Sequence, residues 1–303
     1  MRFKGIYTPV ITPFHEDGSI DWDAYAEIID NQIKHGIEGI IIGGTTGEVY
    51  ALTVEERIEQ LKFAKDRIKG QAEFMAGVND LSAATIYTMA QAARDIGADS
   101  MLVGAPPYSI PTEAELANHV LRVDKIANLP IMLYNYPGRM GVMMGEEFLS
   151  RVAQSSNICG IKESSGDINR LHMFVRHFPQ IELCTGADDQ VLEFMAWGAT
   201  SWVSAAGNIF PKECRRLVEV CSVEGNFDKG RRLMKAFLPL MHTLEQGGKF
   251  IQCVKYGAQL QGLPSGAGPR PPLLPLKKEL KREMDEIIRN VRISVNAILE
   301  EKE

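Results

Sequence analysis

The chain has 303 residues, 45% hydrophobic and 24% charged, with a formal net charge of −6. Interspersed charge of that sign argues against nucleic acid or an anionic membrane as a partner, but not against anionic small molecules, whose binding depends on local charge. No run approaches the roughly 18 apolar residues of a membrane span, and the start Met1-Arg2-Phe3-Lys4-Gly5 lacks the apolar core of a signal peptide, so a cytoplasmic protein is expected.

Strand-like and helix-like patterns alternate along the chain. The strand candidates are 5–10, 37–42, 73–78, 100–103, 131–134, 158–162, 181–184 and 201–204. Their spacing is that of a βα unit, and most are apolar at consecutive positions, as strands covered on both faces are. In the first helical stretch Trp22, Tyr25, Ile29 and Ile33 recur at helical spacing. The second opens with Thr53 and Glu56, a capping box, ahead of Ile58, Leu61, Ala64 and Ile68. Thr112 and Glu115 repeat the device in the fourth, and Ser82 and Asp167 are N-cap candidates for the third and sixth. Gly36, Gly70 and Gly97 stand where helix C-termini need glycine.

From Pro211 the strands stop. Helical patterns cover about 211–223, 226–244, 248–260 and 276–299, and prolines 264, 269, 271, 272 and 275 mark an irregular loop before the last. Eight βα units predict a closed (β/α)8 TIM barrel over 1–223, with 224–303 as a C-terminal helical extension packed on it. A doubly wound open sheet would want a glycine-rich phosphate loop after the first strand, where the chain reads Thr12-Pro13-Phe14 and then Asp17-Gly18.

Five scattered cysteines without a CxxC pair fit reduced core thiols, with Cys214 and Cys221 on one helical face. Six histidines form neither HxH nor HExxH, so no metal site is expected.

A TIM barrel carries its active site at the C-terminal ends of its strands. Lys162 ends the sixth, after Ile158-Cys159-Gly160-Ile161. A lysine entering a barrel mouth loses hydration, its pKa falls, and the neutral amine can form an imine with a carbonyl. The plainer alternative is a strand-end pair with Glu163. Tyr134 ends the adjacent strand and could relay protons there, or serve as a core aromatic. Thr45-Thr46-Gly47 offers hydroxyls and free N–H groups for a carboxylate or oxyanion. Arg139, in a Pro-Gly-Arg loop, could grip a substrate carboxylate with two bonds. Asp188 and Asp189 are acid/base candidates, although an N-cap for the helix after the seventh strand is the preferred reading. Glu48 reads as an anchor for its loop.

Three motifs stand in order at these strand ends: GGTTGE at Gly43–Glu48, YNYPGRMG at Tyr134–Gly141 and GIKESSGD at Gly160–Asp167. With them, the chain resembles the dihydrodipicolinate synthase / N-acetylneuraminate lyase superfamily of class I aldolases, over nearly its whole length. The resemblance implies that Lys162 forms an imine with pyruvate or another 2-oxo acid, that Tyr134 relays protons and is aligned by Thr45, and that Thr46 holds the oxo-acid carboxylate. It also implies that Tyr108 completes the relay from across a tight dimer interface, that Arg139 binds the second substrate's carboxylate, and that Gly186 and Val203 line the pocket. No cofactor is implied, and the expected assembly is a homotetramer, a dimer of dimers. The chain departs from the synthase pattern at Gly77-Val78-Asn79-Asp80, at Pro107, where a second tyrosine is usual, and at Met140.

Three functions remain open. One is condensation of pyruvate with aspartate semialdehyde. Another runs the same imine chemistry catabolically on a 2-keto-3-deoxy sugar acid or a 4-hydroxy-pyrroline-2-carboxylate. The third is a non-catalytic binding protein on the same barrel.

Overall fold

A computed structural model describes residues 2–301. Eight parallel strands close into a barrel in sequence order: β1 Gly5–Pro9, β2 Gly39–Ile42, β3 Glu73–Gly77, β4 Ser100–Gly104, β5 Ile131–Asn135, β6 Ile158–Glu163, β7 Glu182–Thr185 and β8 Ser201–Val203. Every expected strand is present, with ends moved by two residues at most, and β8 closes on β1 through Tyr7 and Val203. Among the described residues no helix is long and apolar enough to cross a membrane.

The helices around the barrel are α1 Trp22–Lys34, α2 Val54–Ile68, α3 Ala83–Ile96, α4 Glu113–Ala127, the single turn α5 Pro137–Met140, α6 Glu146–Val152, α7 Asn169–His177, α8 Val191–Ala196 and α9 Pro211–Val218. Both capping boxes form, and Ser82 caps α3. Asp167 sits one residue too early to be the cap of α7. Ile168 takes that position, and Asp167 instead accepts the Asn169 N–H at 3.0 Å. A π-helical turn, Glu219–Val223, follows α9, and both Cys214 and Cys221 are buried around it.

The C-terminal extension consists of α10 Phe227–Gln246, α11 Phe250–Leu260 and α12 Lys278–Glu300. Leu233, Phe237, Leu240, Met241 and Leu244 recur at helical spacing on the buried face of α10. The extension is tied to the barrel mouth by a buried ion pair, Lys255 Nζ to Glu48 Oε1 at 2.5 Å. Glu48 also accepts the Arg270 N–H at 2.9 Å. Glu48 is thus an anchor, but one that holds the extension against the β2 loop; a fully buried carboxylate needs both donors to remain ionised.

Candidate active site

Strand register sets the site. Tyr134 of β5 and Cys184 of β7 stand level with Lys162 of β6. Side chains alternate along a strand, so Lys162 enters the barrel mouth while Glu163 points outward. Glu163 accepts from Arg170 Nε at 2.6 Å and from Asn135 Nδ2 at 2.9 Å. Its carboxylate is therefore engaged away from Lys162, which removes the strand-end pair as an explanation of that lysine.

Lys162 is 8% exposed, and its Nζ lies 4.2 Å from the centroid of the Tyr134 ring. Burial lowers its pKa, because the charged ammonium loses hydration; the nearby Asp188 carboxyl opposes the shift. Burial pushes the Tyr134 phenol up to about 12, against a side-chain hydrogen bond with Thr45. At neutral pH the phenol therefore keeps its proton and can deliver it.

These groups open into a cavity of about 420 Å3 at the C-terminal end of the barrel, lined also by Thr45, Thr46, Arg139, Gly186 and Val203. In the β2 loop the Gly47 and Glu48 N–H groups bond back to Gly44 and Thr45, while those of Thr45 and Thr46 meet no backbone acceptor among the described residues. Two free donors beside two hydroxyls suit a carboxylate. Gly186 is needed for space: a Cβ there would stand 2.6 Å from Lys162 Cγ and 2.9 Å from the Glu163 carbonyl oxygen.

Arg139 stands on α5 above the cavity, its guanidinium 5.4 Å from the Tyr136 ring and 5.8 Å from that of Phe250. Tyr108 is not brought into the cavity. It is 92% exposed and held at φ 72°, outside the mouth.

Asp188 corrects the capping expectation. Gln190 occupies the N-cap of α8, with no side-chain bond, and Asp188 turns inward instead. Its Oδ1 accepts from Trp202 Nε1 at 2.8 Å and its Oδ2 from the Ala206 N–H at 2.9 Å. Burial, then the neighbouring Glu245, pushes its carboxyl up to about 7. Asn79 and Asp80 likewise serve structure. Asn79 Oδ1 accepts the Gly104 N–H at 2.6 Å, and Asp80 pairs with buried Arg57 at 2.9 Å.

Glu245 was not visible as a site residue in the sequence. It ends α10, lines the cavity, and accepts the Asp188 N–H at 3.1 Å. Phe250 and Gln252 reach the same cavity from α11. No local motif marks these positions, because their spacing reports only a helix.

The sequence pattern of the Dihydrodipicolinate synthetase family matches residues 2–291. The chain belongs to that family. A 4-hydroxy-tetrahydrodipicolinate synthase of an Exiguobacterium species is 34% identical over 275 residues, 90% of this chain and 93% of that one. The solved structure of the 4-hydroxy-tetrahydrodipicolinate synthase of Methylacidiphilum fumariolicum SolV superposes with a TM-score of 0.91 at 30% identity, over 98% of both chains. A prophage protein of the family from E. coli K12, solved in complex with pyruvate, gives a TM-score of 0.89 at 28% identity, over 96% of this chain and 99% of its own. Members of the family are lyases or synthases of the class I aldolase type.

Proposed function

We propose that this protein is a Schiff-base lyase or synthase acting on pyruvate or a related 2-oxo acid. The observation that carries the reading is Lys162, a buried amine of lowered pKa beside a protonated tyrosine. Its Nζ attacks the 2-oxo carbon, and the oxygen leaves as water to give a protonated imine. Loss of a C3 proton then gives an enamine, with Tyr134 as the relay, aligned by Thr45. The enamine C3 adds to an aldehyde carbon, or, in the reverse sense, the C3–C4 bond breaks and its electron pair moves to the imine nitrogen. Water hydrolyses the imine and frees the amine. Thr46 and the loop N–H groups hold the carboxylate meanwhile.

Condensation of pyruvate with aspartate semialdehyde is the leading reaction. It is supported by Arg139 above the cavity, suited to a second carboxylate, and by the names of the relatives. A catabolic reaction by the same imine is the second reading, favoured by the Glu245 carboxylate at the rim. A homotetramer built on Tyr108 contacts is supported by the exposure of Tyr108, Leu81 and Ile110, and a cytoplasmic setting by the family.

Incubation with pyruvate and borohydride, followed by peptide mass spectrometry, should place a reduced pyruvate adduct on Lys162, and Lys162→Ala should abolish it. Absence of an adduct with every 2-oxo acid tried would remove the mechanism. Sedimentation of the wild type and of Tyr108→Glu tests the assembly: equal mass at one-protomer size would remove it.

A further inference from the structure

Among the described residues four charged side chains line the cavity: Arg139, Lys162, Asp188 and Glu245. Their roles divide by what each already bonds. Asp188 has both oxygens engaged, by Trp202 and Ala206. Lys162 is the imine nitrogen. Glu245 uses one oxygen, on the Asp188 N–H, and its side chain is otherwise turned to the cavity. Arg139 makes no ion pair among the described residues and lies only against two aromatic rings.

An acid and a base therefore face one cavity without pairing with each other or with a third side chain. Burying such a carboxylate is costly unless a cation or donors meet it. Burial and the Asp189 charge press Glu245 toward its neutral form, while Lys162 and Arg139 oppose them only in part. The packing of α10 nevertheless holds it there through buried Leu240, Met241 and Leu244. A ligand that brings its own cation satisfies Glu245, and its carboxylate satisfies Arg139. Neutral hydroxyls can donate to a carboxylate too, but without charge their bonds are weaker in a water-poor cavity.

We propose that Glu245 is a specificity residue that binds a protonated nitrogen on the substrate while Arg139 takes its carboxylate. The substrate class is then a nitrogen-bearing acid, an amino aldehyde acid or a cyclic imino acid, and not a neutral polyhydroxylated chain. The proposal rests on imine formation at Lys162 and adds the chemistry of the group that meets the imine. The selecting residue comes from the C-terminal extension, so the barrel supplies the chemistry and the extension chooses the substrate.

The test compares wild type and Glu245→Gln, which keeps shape and removes charge. The substrates are pyruvate with aspartate semialdehyde, pyruvate with the amine-free succinate semialdehyde, a hydroxy-pyrroline carboxylate, and 2-oxo-3-deoxy sugar acids. The wild type is expected to prefer a nitrogen-bearing member on the order of tenfold or more in kcat/KM, mainly through KM, as one charge-assisted hydrogen bond provides. Glu245→Gln should erase that preference. Turnover of neutral sugar acids alone, no turnover of any nitrogen-bearing member, or a preference undiminished in Glu245→Gln would overturn the proposal. Borohydride trapping of the wild type with pyruvate separates the two ideas: an adduct without nitrogen preference sinks only the role of Glu245, whereas no adduct with any 2-oxo acid sinks the imine.

Discussion

The Lys162 ammonium nitrogen lies 4.2 Å from the centroid of the Tyr134 ring, and the two residues stand level on adjacent parallel strands. Adjacent strands hold such a pair more rigidly than loops would, so the amine and the phenol keep their separation through a reaction cycle.

Tyr134→Phe keeps the ring and removes the proton. Imine formation with pyruvate should remain detectable by borohydride trapping, while turnover falls on the order of a hundredfold or more. Unchanged steady-state kinetics would remove the relay.

The attacking amine must be unprotonated, so imine formation should rise with pH through the depressed pKa of Lys162. The Asp188 charge holds that pKa up against burial. Asp188→Asn therefore lowers it further, and the rising limb of the rate of pyruvate-imine formation should move to lower pH. A limb that stays in place, or moves up, would uncouple the two residues.

Gly186→Ala would place a methyl group against Lys162 Cγ and the Glu163 carbonyl oxygen, at 2.6 Å and 2.9 Å. The backbone oxygen cannot swing away as a side chain can. Overpacking of this kind costs about 1–3 kcal/mol, and the displaced lysine should form its adduct at least tenfold more slowly. Wild-type trapping rates at wild-type Tm would show that the wall has room.

Lys255→Met leaves the buried Glu48 carboxylate without its cation. Loss of one partner from a buried pair costs about 3–5 kcal/mol, which calorimetry should register as a clear fall in Tm. Because Glu48 follows Thr45 and Thr46 in the same loop, the KM for pyruvate should rise as well. An unchanged Tm would mean that the extension is held by its apolar contacts alone.

Much of the fold was legible because its signals are local. Apolar runs, capping boxes such as Thr53 with Glu56, and glycine stops depend on residues a few positions apart. Lys162 and Tyr134 were legible for a related reason: a strand-end position in a βα unit fixes which way a side chain faces. Asp188 was misread for the same reason, since an acidic residue ahead of a helix resembles a cap. Only the folded chain brings the Trp202 and Ala206 N–H groups to it.

The sequence by itself determined eight strands, the amine at the end of β6 and the loop that faces it, because each is encoded in short-range pattern and motif. Only the tertiary structure decided that Glu163 turns away to Arg170, that Glu48 grips Lys255, and that Glu245 enters the mouth beside Asp188. Those relations depend on barrel closure and on how α10 and α11 cross the open end. Such contacts join residues far apart in the chain, and neither periodicity nor spacing records which of them will meet.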